Sequence, residues 1–91
     1  MHKARYRGQI FDQYFVTDDG KVWSDKRRCF LKPYKAHGYY QVDLQTKQPM
    51  LHRLIVESLN PGFSGRIIFR NGNTLDCRVE NLQLIGEQNE V

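Results

Sequence analysis

The first 45 residues contain several short hydrophobic segments separated by turn residues, and residues 39–44 alternate with the two-residue period of β-strands. Residues 14–17 and 21–24 flank Asp18-Asp19-Gly20, and a glycine at this place favours a hairpin because it readily takes a positive φ. Further strands are predicted over residues 29–32 and over residues 39–44, where alternate residues face one side. We therefore predict a small antiparallel sheet.

From residue 49 onward the hydrophobic period changes to that of an α-helix. Pro49 suits the first turn of a helix, and Asn60-Pro61-Gly62 is a stop signal, so we predict a helix over residues 49–60. Its apolar residues recur at helical spacing, at Leu51, Leu54, Ile55 and Leu59.

Short elements are predicted for the last third of the chain. They are a strand over residues 67–69, a helical turn that Asp76 caps and that ends at Glu80, and a strand over residues 82–84. Five residues follow Gly86, which allows one further helical turn.

Composition indicates one ordinary globular domain. Of the 91 residues, 40% are hydrophobic and 26% are charged. No apolar run would cross a membrane or form a signal peptide, so we expect a cytoplasmic protein with no membrane partner. Cys29 and Cys77 are expected to be reduced thiols, and a zinc site that joined them to His37 and His52 fits no usual ligand spacing.

The net charge of +4 is distributed unevenly along the chain. Residues 1–53 contain eleven Lys or Arg against five acidic residues, whereas residues 54–91 contain three against five. A basic half suits a surface that follows phosphates, since each neutralised phosphate releases counterions. A basic surface that only keeps the protein in solution is the alternative interpretation.

Residues 66–85 carry a motif, Arg-Ile-Ile-Phe-Arg-Asn-Gly-Asn-Thr-Leu-Asp-Cys-Arg-Val-Glu-Asn-Leu-Gln-Leu-Ile. It resembles the finger of HNH nucleases, also called ββα-metal or His-Me finger nucleases. The resemblance rests on Asn71-Gly72-Asn73, Leu75-Asp76, Arg78 and Asn81-Leu82. In that family the strand before the Gly-Asn turn usually ends in Asp-His, and here the matching positions hold Ile68 and Phe69.

The resemblance extends over most of the chain. The N-terminal module of phage and intron-type HNH homing endonucleases is similar to residues 14–24, 31–32 and 38–44. The helix that follows this module in those proteins is similar to Leu51-His52-Arg53-Leu54-Ile55-Val56. The resemblance implies an α+β fold with a small N-terminal antiparallel sheet, one amphipathic helix and a truncated ββα-metal finger. The expected single domain spans 1–91, with a sheet module over 14–45, a helix over 49–60 and a degenerate finger over 66–91.

The replaced residues argue against nuclease activity. In the family the histidine deprotonates water beside one divalent metal, but Phe69 cannot act as a base and Ile68 offers a metal no oxygen. Asn81 matches the asparagine that orients the histidine, and Asn89 lies near the place of the last metal ligand. We therefore expect no catalytic residue, no metal and no cofactor, and we regard these four positions as vestigial.

The other features suit binding, first of all binding to duplex DNA. Basic side chains in loops and beside the vacated centre can contact phosphates, and Arg27 or Arg28 can also bond a guanine edge. Each is equally well explained as a solvated charge. The candidate nucleic-acid contacts are Lys26, Arg27, Arg28, Lys32, Lys35, Arg66, Arg70 and Arg78.

The aromatic residues divide into interface and core candidates. Tyr34 and Tyr39 are the interface candidates, able to stack on bases or to pack on a partner protein. Tyr40 and Trp23 are expected in the core.

Two other functions remain open. One is a phage-encoded inhibitor, in the host cytoplasm, that reuses the HNH scaffold to bind a host protein or a nucleoprotein defence complex, with Phe69 as an apolar anchor. Phe69 that simply fills the core is the simpler alternative. The other is an active metal-dependent nuclease with a rearranged centre, in which His52 would be the base, although a structural histidine is simpler. The target, the partner and the oligomeric state stay open, and an exposed edge of the sheet would be able to pair with a second copy.

Overall fold

The computed structural model describes residues 1–86, a small α+β protein with antiparallel sheets and one α-helix. The predicted positions beyond Gly86, Asn89 among them, lie outside the described residues. The described elements are β1 (His2–Tyr6), β2 (Gln9–Val16), β3 (Val22–Ser24), β4 (Cys29–Phe30), β5 (Tyr34–Ala36), β6 (Tyr39–Gln41), α1 (Leu51–Leu59), β7 (Arg66–Phe69), a 3-10 helix (Val79–Asn81) and β8 (Leu82–Ile85).

The first four strands form one antiparallel sheet in the order β1-β2-β3-β4. The predicted hairpin is confirmed, since Val16 pairs with Val22 and Gly20 has a φ of +87° in the turn between them. β1 was not predicted. Its sequence is mostly polar, and it forms a strand because β2, which begins at Gln9, supplies a partner along its length.

The prediction that one sheet includes residues 39–44 is wrong. β6 pairs with β5 in a separate two-stranded sheet and ends at Gln41. After it, the amide of Val42 donates to the carbonyl of Pro49 at 3.1 Å, so the chain pairs locally. The predicted alternation still holds for burial, because Val42 and Leu44 are buried and Tyr40 packs against the core. The predicted strand over residues 29–32 is likewise shorter and ends at Phe30.

α1 lies within the predicted helix and covers the inner face of the four-stranded sheet. Fully buried Leu54 and Ile55 on α1 form one core with Val16 and Val22 on the sheet. Burial of each such side chain contributes about 1.5–3 kcal/mol. Within residues 1–86, no helix is long and apolar enough to span a membrane.

The edge of β1 is partly occupied by α1. The amide of Arg5 donates to Oγ of Ser58 at 2.8 Å, and the amide of Arg7 donates to Oε1 of Glu57 at 2.6 Å. These two amides are therefore not available to pair with a strand of a second copy, whereas the amides of an exposed edge would be available.

β7 and β8 form an antiparallel hairpin in which Phe69 pairs with Leu82. The helical turn between them differs from the prediction, because it is a 3-10 helix that starts at Val79 and has no side-chain cap. Asp76 instead bonds the guanidinium of Arg78, so capping by Asp76 is wrong. The loop packs on the β2–β3 turn, where the amide of Val79 donates to the carbonyl of Asp18 at 2.9 Å.

Candidate nucleic-acid interface

Three candidate cations share the tight turn between β3 and β4. Ser24 is fully buried and holds this turn, since its hydroxyl accepts the Arg27 amide at 3.2 Å and its carbonyl accepts the Arg28 amide at 2.8 Å. Arg28 has a left-handed φ of +57°. The side chains of Lys26, Arg27 and Arg28 are exposed, so an ordered turn presents them together to solvent.

Ion pairing distinguishes these three side chains. Nη1 of Arg28 lies 3.0 Å from Oδ1 of Asp25, and its guanidinium also lies over the ring of Trp23, 6.0 Å from the centroid. Within residues 1–86, Lys26 and Arg27 have no acidic partner. They are therefore the better placed of the three to accept a phosphate.

Lys32 and Lys35 lie farther along the chain and are also exposed and without an acidic partner in the described part of the chain. Lys32 lines an open groove of about 400 Å³ together with Lys21 and the ring of Phe30. Lys35 lies on β5, next to the exposed ring of Tyr34.

The outer face of the four-stranded sheet carries three aromatic side chains in register. Phe15 pairs with Trp23, and Trp23 pairs with Phe30. Because residues directly opposite on antiparallel strands face the same side, these three rings share one face. We call Phe15, Trp23 and Phe30 the aromatic row. None of the three belongs to the core cluster, so the expectation that Trp23 is a core residue is wrong.

The β7–β8 hairpin presents a mixed face. Arg66, Ile68 and Arg70 are exposed at alternate positions, whereas Ile67 and Phe69 pack against the core. This is the alternation expected of a strand with one covered face. Arg66 and Arg70 therefore flank an isoleucine on the solvent side of the hairpin, and Phe69 faces inward.

Arg78 differs from the other candidate cations because two carboxylates hold it. Its Nε and Nη2 donate to Asp76 at 2.8 Å and 2.7 Å, and its Nη1 donates to Glu80 at 2.8 Å. The hydrogen bonds from Arg78 keep the pKa of Asp76 well below its usual range. A phosphate would have to compete with both acids for this guanidinium.

Phe69 belongs to an aromatic cluster between α1, β6 and β7. The ring centroid of Phe69 lies 5.0 Å from that of His52 and 6.1 Å from that of Tyr39, and His52 lies 5.2 Å from Tyr39. Phe69 thus packs against a helix and a hairpin, which favours the core-filling interpretation over an exposed anchor. Tyr39 is half-buried in the same cluster, whereas Tyr34 is 43% exposed.

His52 is poorly suited to replace the missing base. Burial of the ring, and to a lesser extent the neighbouring Arg53 guanidinium, lowers the pKa of His52 from 6.5 to about 4. Its Nδ1 is buried and has no hydrogen-bond partner. A general base works best when its pKa lies near the operating pH, and this ring is a weak base at neutral pH.

Asn81 has a structural role in this chain. Its Oδ1 accepts the amide of Asn71 at 3.0 Å, and its Nδ2 donates to the carbonyl of Asp76 at 2.9 Å. Asn81 is 5% exposed, so it closes the loop between β7 and β8 from inside. The side chain that matches the family's orienting asparagine therefore orients backbone.

Sequence reasoning missed Arg53 and the aromatic row. Arg53 joins the helix to the strand that follows, since its Nε pairs with Glu57 at 3.1 Å and its Nη1 donates to the carbonyl of Gly65 at 3.1 Å. The aromatic row was hidden because residues 14–16 are all apolar, which gives no alternation. Over residues 1–86, no three His, Cys, Asp or Glu side chains come together as metal ligands, so the four residues of the zinc hypothesis do not meet.

Comparisons with protein-family models, with curated proteins and with solved structures return no match for this chain.

Proposed function

We propose that this protein is a non-catalytic nucleic-acid-binding protein, similar to an HNH nuclease, that contacts the DNA backbone through its basic sheet and loop surface in the cytoplasm. The observation that carries the proposal is the ordered β3–β4 turn, which holds Lys26 and Arg27 exposed and without acidic partners among the described residues. An ordered cationic turn can contact phosphates without first losing backbone entropy.

Further cations support the same surface. Lys32 and Lys35 follow on the next segments, and Arg66 and Arg70 lie on the exposed face of β7. Each neutralised phosphate releases counterions, so several such contacts give strong binding at low salt. The packing of Phe69 on His52 supports binding without cleavage, because the position of the family's base is part of the interior.

The experiment is a titration of the purified protein with labelled duplex DNA at two salt concentrations, with and without Mg²⁺, followed by a denaturing gel. We expect binding that weakens steeply with salt, does not need the metal and leaves both strands intact. Binding that is insensitive to salt would contradict the proposal. Metal-dependent nicking would revive the alternative of an active nuclease.

Charge variants sharpen this experiment. Arg27→Gln should weaken binding and lower the salt slope by about one. Arg7→Gln is the matched control, since Arg7 is also exposed but lies on the β1–β2 turn beside α1. Equal losses in both variants would mean that net charge alone attracts DNA.

A second candidate function is inhibition of a host protein or a nucleoprotein defence complex. Ile68 and Ile85 favour it, because each is 39% exposed and they are diagonal neighbours on the outer face of the β7–β8 hairpin. Exposed apolar neighbours of this kind are typical of protein contacts. A partner recovered from nuclease-treated lysate by the wild type and lost with Ile68→Asp would support this function over DNA binding.

A further inference from the structure

The aromatic row lies on the outer face of the four-stranded sheet, and none of its three rings belongs to the core of the described residues. Tyr14 and Val16 on β2 are buried toward α1, so Phe15 between them faces the opposite side. Trp23 and Phe30 continue the row on β3 and β4, and Phe30 is 48% exposed. Phe15 and Trp23 are half-buried, so Phe30 is the most accessible ring of the row.

The rings are ordered before any ligand arrives. Trp23 and Phe30 meet edge to face with centroids 5.0 Å apart and an interplanar angle of 77°. Such a pair fixes both side chains, so little further rotamer entropy is lost when a base stacks on the exposed ring of Phe30. Neighbouring strands lie about 4.8 Å apart, so the row offers successive ring positions across three strands.

Cations surround the row. Nζ of Lys21 lies 5.7 Å from the centroid of Phe30, the Arg28 guanidinium lies 6.0 Å from that of Trp23, and Lys3 pairs with Phe15 at the far end. These three cations pair with exposed aspartates, namely Asp19, Asp25 and Asp12. Exposed ion pairs contribute little stability, so a phosphate can take the place of the carboxylate.

We infer that the aromatic row stacks on the unpaired bases of single-stranded nucleic acid while the surrounding cations hold its phosphates. The inference rests on the proposed function and names the form of nucleic acid that this site takes. Aromatic rings beside cations form the usual surface for single strands, since every base has a face on which to stack.

Stacking separates single strands from duplexes. Bases in a duplex are stacked on each other and hidden from a protein ring, whereas unpaired bases present their faces. The groove of about 400 Å³ beside Phe30 is lined mainly by apolar residues, with Lys21 and Lys32 among them. Duplex DNA can contact the basic turn, but its paired bases cannot stack on the rings of the aromatic row.

The test uses Trp23, the single tryptophan of the chain, as its own probe. The full-length protein is titrated with oligothymidylate of about 12 nucleotides, a length within the site sizes of single-strand binders. The same titration uses oligouridylate and a blunt duplex of equal length. We expect quenching of Trp23 fluorescence by the single strands but not by the duplex, and the two oligonucleotides show whether DNA or RNA is preferred.

A pair of variants assigns the effect to the row. Phe30→Leu keeps an apolar side chain but removes the ring, so affinity for the single strand should fall about 5- to 150-fold while duplex affinity is unchanged. Ile10→Ala is the control, because Ile10 is similarly exposed, at 43%, but has no ring and lies near the opposite end of β2 from Phe15. Circular dichroism checks that both variants are folded.

The outcomes are distinct. The inference is overturned if the protein binds duplex DNA as well as it binds single strands, if single strands do not quench Trp23, or if both variants lose equal affinity. Each of these results leaves the proposed function standing. Failure to bind either form of nucleic acid overturns both this inference and the proposed function.

Discussion

The rings of His52 and Phe69 meet edge to face, with centroids 5.0 Å apart and an interplanar angle of 62°. His52 comes from α1 and Phe69 from the end of β7, so the contact joins the helix to the β7–β8 hairpin. A polar catalytic residue at position 69 would lie against an aromatic cluster. Packing therefore explains Phe69 without an interface role.

Phe69→Ala should destabilise the protein by about 2–3 kcal/mol, because it leaves a cavity against His52 and Tyr39. Phe69→Leu, which keeps most of the volume, should cost less than about 1.5 kcal/mol. Urea denaturation measures both. Normal stability of Phe69→Ala together with lost binding to a partner would instead identify Phe69 as an interface anchor.

His52 should make the protein less stable in mild acid. Its pKa is lowered to about 4 in the folded chain, against about 6.5 when unfolded, so the unfolded state binds the proton more readily. The stability that depends on neutral His52 is fully present above pH 6.5 and is lost as the pH falls from 6.5 toward 4.

The difference between the wild type and His52→Leu isolates this effect. Between pH 7.5 and pH 5, the wild type should lose on the order of 1–2 kcal/mol more than His52→Leu, measured by urea denaturation at both values. Equal losses in the two proteins would mean that His52 titrates normally.

Gly20→Ala should be far more damaging than Gly8→Ala. Both glycines have a positive φ, but a Cβ on Gly20 would lie 2.8 Å from the backbone carbonyl of Cys77, while a Cβ on Gly8 meets nothing within 4 Å. Gly8→Ala should cost about 1–2 kcal/mol from the backbone conformation alone, and Gly20→Ala about 2–4 kcal/mol, since backbone must move. Comparable thermal midpoints would contradict the packing of the β2–β3 turn on the loop between β7 and β8.

The two thiols should react at very different rates. Cys29 is exposed, whereas Cys77 is buried, and burial with the nearby Asp76 raises the pKa of Cys77 to about 11. A thiolate is the reactive form, so an aromatic disulfide reagent at pH 8 should titrate one thiol in the native protein and the second only after unfolding. Rapid modification of both would show that the loop around Cys77 opens readily.

Asn81→Ala should loosen the loop between β7 and β8 at a cost of about 1–3 kcal/mol. It removes the partner of the Asn71 amide and of the Asp76 carbonyl, two part-buried hydrogen bonds. Asn73→Ala is the control, since Asn73 is exposed and bonds only the nearby amide of Leu75 with its side chain. Amide hydrogen exchange of Asn71 reports the change, and unchanged exchange would assign the loop's order to other contacts.

The amino-acid sequence alone determined the elements that are marked by turn or stop residues in the same segment of the chain. Asp18-Asp19-Gly20 determined the β2–β3 hairpin, and helical spacing between Pro49 and Asn60-Pro61-Gly62 determined α1. Turn chemistry and helical periodicity act between residues that are close in the chain, so they can be recognised without the fold.

Tertiary contacts decided which side of each strand is covered. Residues 14–16 are apolar throughout, and only the position of α1 turns Phe15 outward and leaves the aromatic row on the solvent face. In the same way, β1 depends on its pairing with β2 and on hydrogen bonds to the helix. The helix residues that accept these bonds, Ser58 and Glu57, are more than 45 residues away in the chain. Pairing and burial between distant residues carry no local sequence signal, and for this physical reason the candidate stacking surface became visible only in the folded molecule.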